Sequence, residues 1–160
     1  MTDFAQYKDV WVFAEQRAGK LMNVSLELLG EGCRLSREIS EETRVCAVLI
    51  GDRAGHLADE LYAYGADVIY QIDHALLKEY TTDAYAKVMT DAINTYKPEI
   101  VLFGATFIGR DLAPRIAVPK ETLQQHRRCN PKRYSYREHI PSCTDTCFYC
   151  AWPVPRQSDV

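Results

Sequence analysis
The chain has 160 residues, of which 47% are hydrophobic and 26% charged, with a net charge of −3. That length suits one domain able to bury a core without staples, and so mild a charge points neither to nucleic acid nor to a membrane surface. No apolar run approaches the ~20 residues of a membrane span, and the opening MTDFAQYKDVWVFAEQ has early acids and no apolar signal core, so a cytoplasmic location is expected.

The averages hide a break at Val118. Residues 1–118 carry 12 Lys and Arg against 18 Asp and Glu, whereas 119–160 carry 7 against 4. The second stretch holds five of the seven prolines, four of the six cysteines and none of the eight glycines. Two compositions are joined end to end, and the boundary separates a domain over 1–118 from a tail over 119–160.

Val10-Trp-Val-Phe13 is an apolar, β-branched and aromatic run, the pattern of a buried first strand. Glu15 and Gln16 lead into a turn through Gly19. Asn23 is placed to cap a helix over 24–40, with Val24, Leu28, Leu35 and Ile39 on one face. Gly30 and Gly32 weaken it by roughly 1 kcal/mol each relative to Ala. Arg44–Ile50 reads as the second strand. Ala54–Tyr64 reads as a helix with Leu57, Leu61 and Tyr64 inward and Gly65 as its left-handed stop. Asp67–Ile72 is the third strand. The connector to Thr82 contains His74, read as a solvated loop residue because no second metal ligand stands at a useful spacing. A helix from Thr82 or Asp83 to Tyr96 carries the stripe Tyr85, Val88, Met89, Ala92, Ile93 and Tyr96, read as core.

Glu99–Val118, EIVLFGATFIGRDLAPRIAV, follows Lys97-Pro98. Ile100 to Phe103 is apolar without alternation, as a strand covered on both faces would be. Gly104 to Gly109 turns the chain, and a helix is expected over Arg110–Val118. Such a strand, turn and helix can present N–H groups to an anion; glycines kept for steric reasons are the plainer reading. Strand and helix thus alternate four times, predicting a three-layer, doubly wound parallel α/β domain with an irregular C-terminal tail. No GxGxxG or P-loop follows the first strand, and no nucleophile elbow or HExxH occurs, so catalysis is not expected and no catalytic residue is assigned.

Residues 9–118 resemble the N-terminal domain of the electron transfer flavoprotein alpha subunit, of the type found in anaerobes that serves acyl-CoA dehydrogenases and can bifurcate electrons. The matching pieces are VWVFAEQRAGKLMNVSLELLG, VCAVLIG, LADELYAYGADVIY, YTTDAYAKVM and KPEIVLFGATFIGRDLAPRIA, in order over about 110 residues. The resemblance implies an adenine-nucleotide α-hydrolase-like fold and a heterodimer with the beta subunit, in which this domain is mainly scaffold and interface. It further implies that FAD is held chiefly by the alpha subunit's C-terminal domain, beyond residue 160. After PRIA the family continues with a Thr-Gly-Leu-Thr-Ala-Asp-Cys-like segment, where this chain reads VPKETLQQHRRCNPKRYSYREHI.

The tail is read as an out-of-frame or disordered continuation, with a genuine unrelated extension as the alternative. Cys143, Cys147 and Cys150 have the C-x3-C-x2-C spacing of a radical S-adenosylmethionine cluster, but only ten residues follow, too few to enclose a cluster. Zinc through these thiolates and His139 is chemically allowed. Neither metal is assigned.

The leading expectation is therefore an electron-carrier subunit that lacks redox activity by itself. Thr106, Ile108, Gly109, Arg110 and Asp111 are the residues expected to meet a partner or a nucleotide. Arg110 can reach an anion or a carboxylate of the beta subunit, and Asp111 suits the start of a helix; the alternative is that these two pair with each other on the surface. A nucleotide-binding module with AMP or ATP at the Gly104–Gly109 turn is the second reading, and an iron–sulfur protein built on the tail cysteines a remote third.

Overall fold
The strand Val10–Ala14 (β1) is buried along its whole length, an apolar run covered on both faces. The computed structural model describes residues 7–117 and the backbone of 149–151. Within it, β1 runs parallel to Val45–Gly51 (β4) on one side and to Ile100–Phe103 (β6) on the other, with Val10 opposite both Val45 and Ile100. Val68–Asp73 (β5) extends the sheet parallel to β4. A last strand, Tyr149–Ala151 (β7), pairs antiparallel with β6, giving the order β5-β4-β1-β6-β7.

Among the described residues four α-helices cover the two faces, as the doubly wound reading expects. Asn23–Ile39 (α1) and Ala58–Ala63 (α2) share a core of Leu28, Leu29 and Leu61 with Val12, Ala47, Leu49 and Leu102 of the sheet, joined by Leu57 just before α2. Thr82–Tyr96 (α3) and Phe107–Ala117 (α4) place Met89, Ala92, Leu112 and Ala113 against Trp11, Val48, Val101 and Phe103. Alternate residues of one strand serve opposite cores, which is why these strands show no polar alternation. Trp11, Tyr70 and Tyr96 form an aromatic group with centroids 4.5–6.0 Å apart. Tyr96 is 51% exposed, so the predicted stripe is buried at Tyr85, Met89 and Ala92 but not at its last residue, whose ring packs on Tyr70 and Trp11 from the solvent side.

Several boundaries differ from the sequence reading. The turn through Gly19 is a small hairpin of Gln16–Arg17 (β2) and Lys20–Leu21 (β3), with positive φ at both Ala18 and Gly19 as a tight hairpin turn needs. Asn23 does not cap α1: the N-cap position is Met22, without a side-chain cap. The entry to the helix is held instead by the Glu15 carbonyl, which accepts from Met22 N and Ser25 Oγ, both at 3.0 Å. The buried face of α1 is Ser25, Leu28, Leu29, Gly32 and Ser36, while Ile39 is exposed. Small residues bring this helix close to the sheet: a Cβ on Gly32 would lie 3.2 Å from Val45 and 3.3 Å from Val12. The predicted helix over 54–64 is a 3-10 turn, Ala54–Leu57, followed by α2, and Tyr64 points to solvent. Gly65, at φ 102°, is the left-handed stop expected. The helix α4 starts at Phe107, three residues earlier than predicted.

At the amino end of the parallel strands, Asp9 joins three of them. It is buried at φ 74°, and its carboxylate accepts from Arg44 N and Nε, both at 3.2 Å, and from Nη2 at 2.7 Å. Its carbonyl accepts from Glu99 N at 3.0 Å, at the entry to β6. Burial raises the carboxyl pKa, but the hydrogen bonds and charge of Arg44 outweigh it and hold Asp9 below the usual carboxylate range. A lowered folded-state pKa contributes stability that is present above the ordinary value near 3.9 and lost as pH falls through the folded one. Asp9→Ala is expected to cost about 1–3 kcal/mol at neutral pH, with the difference from wild type shrinking below pH 4 when urea midpoints are compared across pH.

Candidate functional site at the β1–β6 switch
From β1 the chain winds outward through β4 to β5, then returns to the other side of β1 as β6. The carboxyl ends of β1 and β6 therefore flank the point where strand order reverses, the place where open α/β sheets form their crevice. A cleft of about 520 Å³ opens there, lined among others by Glu15, Arg17, Asp52, Lys78, Tyr80 and Ile108. Three acids, with Glu79, face two bases in this lining. Among the described residues the lining holds no Ser, Cys or His.

Glu15, directly after β1, is the residue that organises the site. Its side chain is 3% exposed. One carboxylate oxygen accepts from Arg17 Nη2 at 3.1 Å, the other from the Thr106 hydroxyl in the turn after β6. Thr106 Oγ1 in turn accepts from Gly109 N at 3.0 Å, and its carbonyl accepts from Arg110 N at 3.0 Å. Thr106 is thus the N-cap of α4, its oxygen satisfying the third helical N–H. This explains the early start of the helix. It also places a buried carboxylate, through one hydroxyl, at the helix end where the dipole favours negative charge. The Gly109 N–H is thereby satisfied within the protein.

The two glycines of the turn are kept for close approach. A Cβ on Gly109 would lie 1.9 Å from the Gly104 carbonyl oxygen, and one on Gly104 would lie 2.6 Å from Val24 of α1. Neither has a positive φ, so the steric reading of these glycines is the one the geometry supports.

The five predicted residues fall into different roles. Thr106 and Gly109 form the cap, and Ile108 is half-buried against the core and lines the cleft. Asp111 faces α3, where its carboxylate accepts from Tyr80 Oη at 2.7 Å and Thr82 Oγ1 at 2.5 Å, with Arg115 Nε at 3.4 Å. The bonds from Thr82 and Tyr80 hold Asp111 below the usual carboxylate range, and burial with the Asp111 bond pushes Tyr80 up to about 12. Asp111 and Arg110 do not pair with each other. Arg110 is exposed and makes no ion pair among the described residues. Beside it Phe107 is 88% exposed. Sequence reasoning missed Glu15 as a site residue; an acid immediately after a buried strand at the switch point was the available signal.

His74 is exposed, its Nδ1 accepting from Leu76 N at 3.1 Å, in line with a loop role. Among the described residues no group of His, Cys, Asp and Glu is arranged for a metal. Cys46 is buried and burial pushes its thiol up to about 12, so it is no nucleophile. Cys143, Cys147 and His139 lie outside the described residues, as does the side chain of Cys150. No helix among the described residues is long and apolar enough to cross a membrane.

The sequence model described as the electron transfer flavoprotein domain matches residues 10–122, four residues beyond the predicted boundary. The electron transfer flavoprotein subunit alpha of Thermoanaerobacterium thermosaccharolyticum is 54% identical over 111 residues, covering 69% of this chain and 33% of the relative. That of Clostridium acetobutylicum is 50% identical over 118 residues, 74% of this chain and 34% of the relative. The acryloyl-CoA reductase electron transfer subunit beta of Anaerotignum propionicum is 48% identical over 120 residues, 75% and 32%. The chain spans about one third of the length of these relatives. They favour an electron-transfer subunit over a nucleotide-binding module.

Replacing Thr106 by Val removes both the cap and a partner of buried Glu15. It is expected to cost about 1–2 kcal/mol, whereas Thr106→Ser stays within about 0.5 kcal/mol; urea unfolding followed by circular dichroism reads both.

Proposed function
This chain belongs to the electron transfer flavoprotein family, and from that membership we propose that it is the N-terminal part of an alpha subunit that carries electrons as a heterodimer with a beta subunit. The observation that carries this reading is the identity of about half the residues to alpha subunits across 69–74% of the chain, the matched region including the whole β6–α4 unit. In the complete protein FAD moves electrons between acyl-CoA dehydrogenase-type enzymes and an acceptor, the flavin being bound outside the domain described here. The role of this domain is then placement: it supports a partner and holds the geometry in which a cofactor elsewhere can exchange electrons.

The start of α4 is the face suited to the beta subunit. Phe107 is an aromatic side chain left almost wholly in water, and Arg110, one turn later, is an exposed cation without an ion pair among the described residues. Aromatic and arginine side chains dominate the energetics of protein interfaces. Glu15 and Thr106 fix this end of the helix, so both groups are presented from a rigid base.

The test is binding of the full chain to a purified electron transfer flavoprotein beta subunit, followed by titration calorimetry. The chain alone is expected to be colourless at flavin wavelengths and to form a one-to-one complex. Phe107→Ser and Arg110→Glu are each expected to weaken the complex at least tenfold, which is about 1.4 kcal/mol, with unchanged urea midpoints. Absence of a complex, or a stoichiometric yellow flavin on the isolated chain, would overturn the reading. Variants that bind like wild type would remove the α4 face from it.

A further inference from the structure
We propose that His56 is a proton-operated latch, fastening the β2–β3 hairpin at the side of the switch-point cleft when its ring is charged and releasing it when the ring is neutral. Both ring nitrogens lie against backbone carbonyls: Nδ1 is 3.1 Å from the Arg53 oxygen and Nε2 is 3.0 Å from the Gly19 oxygen. A carbonyl oxygen only accepts, whereas a neutral imidazole has one N–H to donate and one bare lone pair. Both contacts are therefore hydrogen bonds only in the imidazolium form. In the neutral ring one nitrogen faces an oxygen lone pair, and that contact turns repulsive.

The two segments that the ring joins both carry backbone strain. Arg53 stands at φ 54° and Ala18 at φ 48°, a conformation that residues with a Cβ adopt only when their surroundings hold them there. Asp73 Oδ1 accepts from Arg53 N at 2.6 Å, which leaves the Arg53 carbonyl to His56. In the hairpin, Gln16 is the anchor: its Nε2 donates to the Ile50 carbonyl and its Oε1 accepts from Gly19 N, both at 3.3 Å. Gln16 thus ties the base of the hairpin to β4, while the Gly19 carbonyl ties its tip to the 3-10 turn. Arg17, Ala18 and Gly19 line the cleft. Release of the tip moves that wall, and with it the Arg17 that pairs with buried Glu15.

The charged side chains on the adjoining elements are Arg17 and Lys20 of the hairpin, Asp52 and Arg53 after β4, Asp73 of β5, and Asp59 and Glu60 of α2. Among the described residues none of them bonds to the ring; Arg17 is paired with Glu15, and Asp73 receives Arg53 N. The Gly19 carbonyl first and the Arg53 carbonyl second raise the His56 pKa, outweighing desolvation. A pKa raised on folding means that the bonds are fully present below the ordinary value near 6.5. They are lost as pH rises through the higher folded value. The latch is shut below that window and open above it.

The experiment is an NMR titration of the full chain, wild type and His56→Gln, over about pH 5 to 9. Ring-nitrogen shifts read the protonation of His56, and the nuclear Overhauser contact between its ring and Gly19 reads whether the hairpin is fastened. In wild type the ring is expected to titrate with a midpoint above the ordinary 6.5. Its contact with Gly19 is expected to disappear at that same midpoint, while the β4 amides stay unchanged and report an intact fold. Glutamine does not titrate in this range, so in His56→Gln the amide shifts of Ala18, Gly19 and Arg53 are expected to be independent of pH there. A midpoint at or below the ordinary value would overturn the proposal, as would a Gly19 contact that survives deprotonation. Amides that titrate equally in His56→Gln would assign the change to another group and overturn it as well.

Discussion

The buried carboxylate of Glu15 is the constraint on which the functional end of this molecule depends. A charge nearly excluded from water is costly unless both oxygens are hydrogen-bonded. Here Arg17 and Thr106 supply those bonds from a hairpin and from the turn after β6. The carbonyl of the same residue receives Met22 N and Ser25 Oγ at the start of α1. One position at the end of the central strand therefore fixes the hairpin, the entry to α1 and the cap of α4. The opposite end of the sheet has a counterpart in Asp9, which joins the starts of β1, β4 and β6 through Arg44 and Glu99.

This arrangement changes what the Gly104–Gly109 turn can do. Its shape, a buried strand, a small-residue turn and a helix, is the one α/β folds use to hold phosphates. Yet Gly109 N is spent on Thr106, and the negative charge near the helix end belongs to Glu15. The glycines allow the helix to pack on the Gly104 carbonyl and the turn to pack on Val24. We read this unit, which has the outline of an anion site, as a rigid mount that leaves outside Phe107 and Arg110, side chains of the kind that interfaces use. That division of labour accords with a family in which electron transfer requires a partner.

The central strands were legible because burial on both faces leaves an unbroken apolar run, as in Val10–Ala14 and Ile100–Phe103. The stripe of α3 was legible for the related reason that Tyr85, Met89 and Ala92 recur at helical spacing. What could not be read locally depends on distant contacts. The early start of α4 rests on Thr106, whose hydroxyl is oriented by an acid 91 residues away. Asn23 has the chemistry of a cap, but the Glu15 carbonyl already holds that end of α1. The inward face of α1 was misjudged at Ile39 because Ser25, Gly32 and Ser36 are chosen for smallness, which an apolar periodicity does not count. Arg110 and Asp111 are adjacent in sequence, but a helix turns neighbours apart by about 100°, so Asp111 meets Tyr80 and Thr82 while Arg110 meets solvent.

The central claim is that the Thr106 hydroxyl, held by the Glu15 carboxylate, takes the Gly109 N–H of the turn after β6, so that we read this domain as a mount and not as a nucleotide carrier. Calorimetric titration of the full chain with ATP and with AMP tests it most directly. The account predicts no saturable binding of either up to millimolar concentration, in wild type free of any beta subunit. A one-to-one isotherm with a micromolar dissociation constant would contradict it.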